Sequence, residues 1–203
     1  MRLVCLSDTH GCHNYLDVPQ GDILIHCGDA ELNGYGNYEE FLYWFAKQKH
    51  KYKIFVPGNH DFYIQDHQFN CTLEFEKRGI SLLIDKAVVL NNVKFYGSPW
   101  TPTFMDWAFM KDDDELFMNW EEIPHSTDIL ITHGPAYGNG DCVKGKKQHL
   151  GSKTLDDAIS YLPNIKHHLY GHIHTGVPTG IAHNCSVLNE EYKLVNKATI
   201  LEI

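Results

Sequence analysis

Aspartate, asparagine and histidine gather in this chain at five short, glycine-marked places. These are Ser7-Asp8-Thr9-His10-Gly11, Cys27-Gly28-Asp29, Pro57-Gly58-Asn59-His60-Asp61, Thr132-His133-Gly134-Pro135 and Gly171-His172-Ile173-His174. Carboxylate and amide oxygens combined with imidazole nitrogens make a donor set for Mn²⁺, Fe or Zn²⁺. The absence of cysteine from the set argues against a thiolate zinc site. Asp8 and His10 alternate, as do His172 and His174. In an extended segment that period of two puts both members of a pair on one side. Any one segment alone is ordinary turn chemistry; all five in one chain are not. Three neighbours are harder to place. His13 reads equally as a substrate-facing side chain or a solvated loop residue. His26 sits inside an apolar run and reads as a hydrogen-bonded core histidine. Asp61 either orients a neighbouring imidazole or caps the helix that follows.

Each segment follows a run that reads as a strand, and α/β proteins place their sites at such strand ends. Leu3 to Leu6, Asp22 to Cys27 and Lys53 to Val56 are short and apolar throughout, the pattern of strands buried on both faces. Asp128 to Thr132 and His167 to Tyr170 repeat it before the later histidines. Ser81 to Ile84, Ala87 to Leu90 and Val93 to Tyr96 are β-type runs that read as a hairpin-rich insertion, with Asn91-Asn92 as a turn. Ser186 to Leu188 and Ala198 to Leu201 are the last β-type runs. Helices are expected over Asn37 to His50, Asp112 to Glu122 and Lys153 to Leu162, the last opening with a capping box at Thr154. The sharp strand-exit turns need glycine, whose backbone reaches conformations a side chain obstructs. The alternation predicts a two-sheet α/β protein.

Composition narrows the partners. Seventeen basic against 26 acidic residues give a net charge of −9, which disfavours broad binding to extended nucleic acid or an anionic membrane. Bound cations would reverse the field locally, so a small phosphorylated substrate stays compatible. The six cysteines form no C-x-x-C pair and no basic-then-apolar leader opens the chain, so a reduced, cytoplasmic protein is expected. The 203 residues are the length of one domain, spanning 1–203. The Asp112-Asp113-Asp114-Glu115 run lacks the spacing of a calcium loop and reads as the acidic start of a helix. Trp100, Phe104, Trp107 and Phe109 suggest a nucleobase platform, but so apolar a run reads first as core packing.

In this order the five segments resemble the signature of the calcineurin-like metallophosphoesterases: D-x-H, G-D, G-N-H-D/E, a later H, and G-H-x-H. They span Asp8 to His174. The resemblance implies a β-sandwich flanked by helices, a four-layer α/β/β/α fold, with two divalent metals at the strand ends, Mn²⁺ favoured. Position by position it implies that Asp8, His10, Asp29 and His174 hold one metal. Asp29, Asn59, His133 and His172 would hold the other, with Asp29 bridging, and His60 would be a non-ligand histidine facing substrate. Asp61 and the sequence Ala30-Glu31-Leu32-Asn33 after the second motif depart from the protein Ser/Thr phosphatases, and exonuclease members are longer. Ser7 to His13, Tyr96 to Pro102 and Asp128 to Pro135 are similar to small metallophosphoesterase-domain-containing proteins linked to cyclic-nucleotide phosphodiesterases. That similarity implies hydrolysis of a phosphodiester, cyclic nucleotides included; a phosphomonoesterase or a catalytically silent metal-binding scaffold are the alternatives.

Overall fold

The computed structural model describes all 203 residues. In chain order the first elements are β1 (Arg2–Leu6), β2 (Ile23–His26), α1 (Tyr35–Lys47), β3 (Tyr52–Phe55), α2 (Phe62–Asp66), α3 (Gln68–Lys77) and β4 (Ile80–Leu82). Then come β5 (Lys86–Leu90), β6 (Val93–Ser98), β7 (Thr101–Pro102), β8 (Met110–Lys111), α4 (Asp113–Glu121) and β9 (Ile129–Thr132). The chain closes with α5 (Lys153–Tyr161), β10 (His167–Tyr170), β11 (Ala182–Asn184) and β12 (Thr199–Glu202). Two five-stranded sheets result, ordered β12-β1-β2-β3-β4 and β11-β10-β9-β6-β5.

Alternate residues of the apolar strands divide the core into layers. Leu3, Cys5, Ile23, Ile25 and Ile54 of the first sheet pack against Phe95, Ile129, Ile131 and Leu169 of the second. The intervening Val4, Leu6, Leu24 and Phe55 turn outward onto Phe41 and Phe45 of α1 and Phe75 of α3. On the far side, Tyr96 and Leu130 meet Leu116 and Trp120 of α4 and Leu155 of α5. The expected α/β/β/α sandwich is therefore observed, because period-two strands with both faces apolar need cover on both sides. Within the sandwich, β1, β2 and β3 run parallel, as do β9 and β10. All five of their C-terminal ends carry the segments of interest.

Several expectations are corrected. The middle of the chain is not an insertion: β4 pairs with β3 in the first sheet, while β5 and β6 form the antiparallel edge of the second. The turn between them uses left-handed Asn91 and Asn92, φ 49° and 64°, as a two-residue hairpin requires. Ser186 to Leu188 makes only isolated bridges to Ser7 and Leu194. Helix α2 is the one that Asp61 was offered as capping, whereas α3 has no counterpart among the expected helices. Helix α5 is capped by Ser152, whose hydroxyl accepts from Leu155 N–H at 3.1 Å, not by Thr154, which instead bonds Asp113 at 3.0 Å. Asp112 is the N-cap residue of α4, followed by three acidic residues in the first turn. No helix is long and apolar enough to cross a membrane.

Two core histidines brace the strand ends. His26 bonds the Thr9 hydroxyl at 3.1 Å and accepts from Gly28 N–H at 3.3 Å, which makes it the Nε2–H tautomer. His168 bonds the Thr132 hydroxyl at 2.7 Å, and that hydroxyl donates onward to Gly134 carbonyl oxygen at 2.6 Å. Burial lowers each imidazole to about 3, whereas the unfolded chain takes up those protons near 6.5. Their stabilising contribution is complete above pH 6.5 and is lost as pH falls from there toward 3. In chelator-treated protein, urea unfolding between pH 6.5 and 4 is predicted to lose stability with acidity. His168→Gln should reduce that slope by about 1.4 kcal/mol per pH unit; an unchanged slope would contradict the buried-neutral reading.

Candidate metal centre

Tight turns at the strand ends, not extended backbone, present the candidate ligands. Asp8, His10, Asp29 and His172 all adopt left-handed conformations, with φ of 54°, 38°, 58° and 67°. The turns are tied together by Asp8 N–H to Gly28 carbonyl oxygen at 2.9 Å and His10 N–H to Asp29 carbonyl oxygen at 3.0 Å. Two glycines let the second and third turns touch. A Cβ on Gly28, at φ +102°, would lie 2.5 Å from His133 Nδ1, and one on Gly58 would overlap the Asp29 carboxylate and backbone.

This packing brings ligand atoms of Asp8, His10 and His174 into one group, and those of Asp29, His133 and His172 into another, each within 4.8 Å. Asp29 stands between the groups. Its Oδ2 lies 3.6 Å from His10 Nε2 and its Oδ1 lies 3.3 Å from His133 Nε2. The Asn59 Oδ1 atom joins the second group, 2.9 Å from His133 Nε2. His174 Nε2 faces Asp8 Oδ1 at 3.6 Å. His172 and His174 fall in different groups, on either side of the left-handed turn at His172, which is the partition the resemblance implies.

The donor chemistry can be tested on the histidines themselves. The Nδ1 atom of His133 is taken by Cys27 carbonyl oxygen at 2.8 Å, that of His174 by Asn189 carbonyl oxygen at 2.9 Å, and that of His10 by Glu31 Oε2 at 2.6 Å. An acceptor on Nδ1 fixes the proton there and leaves the Nε2 lone pair facing the cluster, the arrangement found behind metal-ligating histidines. His10 Nε2 has no hydrogen-bond partner although it is buried. His133 Nε2 and Asn59 Oδ1 then face each other as two acceptors. A divalent cation satisfies such a set, so the residues fit the metal ions expected from the sequence.

Without a cation, protons take its place. Burial opposes charge on His133 and His174, yet the Asp29 carboxylate raises the first to about 9 and Asp8 raises the second to about 9. Burial likewise opposes the Asp29 charge, but His133 and then His10 hold its carboxyl well below the usual range. His172 is lowered to about 4 by burial and by the neighbouring His133, and stays a neutral imidazole.

Asp61 holds the N-cap position of α2, but its side chain neither makes a capping bond nor orients an imidazole. Its buried carboxylate accepts from four backbone N–H groups: Gly58 at 2.8 Å, Asp29 at 3.0 Å, Ala30 at 3.1 Å and Leu32 at 3.2 Å. It staples the second turn to the third. Glu31, read in the sequence only as a departure from the phosphatases, is the partner of His10. The one signal for either was an acidic residue beside a ligand. His13 is a correction: it is buried against Phe41 and Trp44, with ring centroids 5.4 and 5.0 Å away, and does not line the cleft over the cluster.

That cleft, about 730 Å³, is lined by His10, Asp29, Asn59, His60, His172 and His174 on its floor. Phe104, Trp107, Tyr137 and Tyr192 wall it, with Lys153 at its rim. The aromatic segment thus divides: Phe109 is core, while Trp107 lies 4.9 Å from the His60 ring and Phe104 is exposed. Tyr192 stands over His10 and His174, at 4.8 and 5.5 Å.

Comparison with known proteins places this geometry. A model of the calcineurin-like phosphoesterase family matches residues 1–176. Metallophosphoesterase domain-containing protein 1 of Homo sapiens is 33% identical over 230 residues, covering 100% of this chain and 71% of its own length, and its Mus musculus counterpart matches equally. Among solved structures, phosphopantetheinyl hydrolase from Mycobacterium tuberculosis is similar in fold, with a TM-score of 0.63 at 14% identity over 94% of this chain and 90% of that one.

The Asp61 staple generates a prediction. Asp61→Asn replaces one acceptor oxygen with an amide that confronts the backbone N–H groups. It should cost about 2–4 kcal/mol in urea unfolding and weaken Mn²⁺ binding about 10–100-fold in chelator competition. Wild-type affinity in the folded variant would refute the staple.

Proposed function

The chain belongs to the calcineurin-like phosphoesterase family, and on that premise we propose that it is a dinuclear metal-dependent phosphodiesterase acting on a small nucleotide, cyclic nucleotides included. The observation that carries the dinuclear reading is the placement of Asp29, one oxygen toward each ligand group. In this reading Asp8, His10, Asp29 and His174 hold one cation. Asp29, Asn59, His133 and His172 hold the other. Mn²⁺ is the favoured ion for this oxygen- and nitrogen-rich set. When bound, the cations supply Lewis acidity toward the phosphoryl oxygens and a lowered water pKa.

The chain's own groups do the rest. His60 lines the cleft beside the ligands, and its backbone N–H donates to Asp29 Oδ1 at 2.8 Å. Its ring is held between Trp107 and His10, at 4.9 and 5.0 Å, with Glu31 Oε2 3.8 Å from Nδ1. So fixed, the imidazole delivers a proton to the leaving oxygen. Trp107, Phe104 and Tyr192 offer faces on which a base can stack.

Charge favours a diester over a monoester. The cleft lining carries Lys153 as its one Lys or Arg, against Asp29, Asp113 and Glu190. With the cations engaging the phosphoryl oxygens, the rest of the lining has one basic group to meet further negative charge, which favours a diester with one negative charge over a dianionic monoester. All six cysteines are free, which supports a reducing, cytoplasmic setting.

Chelator-stripped protein reloaded with Mn²⁺ should hydrolyse bis-p-nitrophenyl phosphate faster than p-nitrophenyl phosphate. Faster monoester turnover would replace this reading with a phosphomonoesterase, and no turnover by folded, loaded protein would leave a binding scaffold. His60→Ala should keep its metals and lose about 10²–10⁴-fold in rate on poor leaving groups, and much less on good ones. Equal losses on both would remove His60 from the general-acid role.

A further inference from the structure

The segment between β9 and α5 carries a second group of metal-type side chains, apart from the strand-end turns. Asp141, Cys142 and His149 place a carboxylate oxygen, a thiol and an imidazole nitrogen within 4.8 Å of one another. The separations are 2.8 Å from His149 Nδ1 to Asp141 Oδ1, 3.5 Å from Cys142 Sγ to the same nitrogen, and 3.9 Å from Sγ to Asp141 Oδ1. Ligands at ordinary Zn–O, Zn–N and Zn–S lengths around a tetrahedral ion stand about 3.3–3.6 Å apart. Small adjustments of three side chains would reach that geometry.

Hydrogen bonding alone leaves this group poorly resolved. One imidazole nitrogen is approached by both a carboxylate and a sulfur, and it carries at most one hydrogen. If Nδ1 donates to Asp141, the thiol has only a 3.9 Å contact with Oδ1. The scaffold is nonetheless built. Asp141 is 1% exposed, its Oδ2 accepts from Gly151 N–H at 3.2 Å, and its carbonyl oxygen accepts from Leu150 N–H at 3.0 Å. These bonds close the neck of a loop whose two ends bear Cys142 and His149. The His149 ring is further held by Tyr137, 4.5 Å away.

We propose that Asp141, Cys142 and His149 form a Zn²⁺ site, with a fourth position for solvent or ligand. The mixed sulfur, nitrogen and oxygen set selects zinc over the harder ions favoured at the strand ends. Binding exchanges the thiol proton for the metal, releasing it to buffer, and moves the His149 proton from Nδ1 to Nε2. The site borders a cleft of about 860 Å³ lined by Asp141, Cys142, His149 and His174. His149 also lines the cleft over the strand-end cluster. An ion here would therefore stiffen the rim shared by the two clefts.

Co²⁺ distinguishes this site from the strand-end cluster, because only a thiolate ligand gives near-ultraviolet sulfur-to-cobalt charge transfer. Titrating metal-stripped protein with Co²⁺ should develop that absorption to an amplitude of one thiolate-bound Co²⁺ per chain, once the strand-end positions are also filled, and lose it on adding excess Zn²⁺. Cys142→Ser, with its fold checked by circular dichroism, should abolish the band, while Cys12→Ser should retain it. No band in the wild type, or a band that survives Cys142→Ser, would overturn the proposal. Neither outcome depends on phosphodiesterase activity.

Discussion

Acceptor atoms with too few donors crowd the C-terminal edge of this sandwich. Two carboxylates, an amide oxygen and several imidazole lone pairs converge at the ends of β1, β2, β3, β9 and β10, and His10 Nε2 is buried there without a partner. Such a cluster is unfavourable by itself, since buried polar groups left unpaired cost about 1–3 kcal/mol each. The surroundings hold it in place from behind. Backbone carbonyls and Glu31 occupy the Nδ1 atoms, Asp61 gathers four N–H groups, and His26 and His168 pin Thr9 and Thr132. Divalent cations on the open side would supply the missing charge, and the architecture holds the turns close enough to share them.

That arrangement explains why the sheets are built as they are. Parallel strands deliver their C-terminal ends to one edge, so three turns of the first sheet meet two of the second without long excursions of the chain. Gly28 and Gly58 let the second and third turns approach to backbone contact. A sandwich covered by helices on both faces makes the strands rigid, which fixes side chains on short turns with little freedom.

Much of this was legible in the sequence, for physical reasons. Short apolar runs such as Leu3 to Leu6, bounded by turn residues, read as strands buried on both faces, and that reading puts the ligand-type residues just beyond them at a sheet edge. Partners distant in sequence were less legible. Asp61 has the composition of a cap but binds the amides of residues some 30 positions earlier, and no local pattern records that. The partition of His172 and His174 between two groups was implied by the family resemblance, but the period of two alone does not give it, because a left-handed turn at His172 intervenes. His13 follows a functional motif, yet the 3₁₀ turn from Cys12 to Tyr15 carries it under Phe41 and Trp44. The middle strands were recognised as β but not as belonging to two different sheets, because pairing is decided by partners and not by propensity. Ser152, the cap of α5, lies two residues before the box at Thr154 that seemed to mark it.

The family gives the reaction class, phosphoester hydrolysis; above the strand-end turns the cleft is walled by Trp107, Phe104 and Tyr192, with Lys153 at its rim. A cation pair shared through Asp29 can be counted as bound metal. Protein equilibrated with Mn²⁺ and freed of loosely held ions should retain two Mn²⁺ per chain by elemental mass spectrometry, and folded Asp29→Asn should retain one at most, because both groups draw on that carboxylate. A wild type that holds fewer than two, or an Asp29→Asn variant that still holds both, would contradict the account.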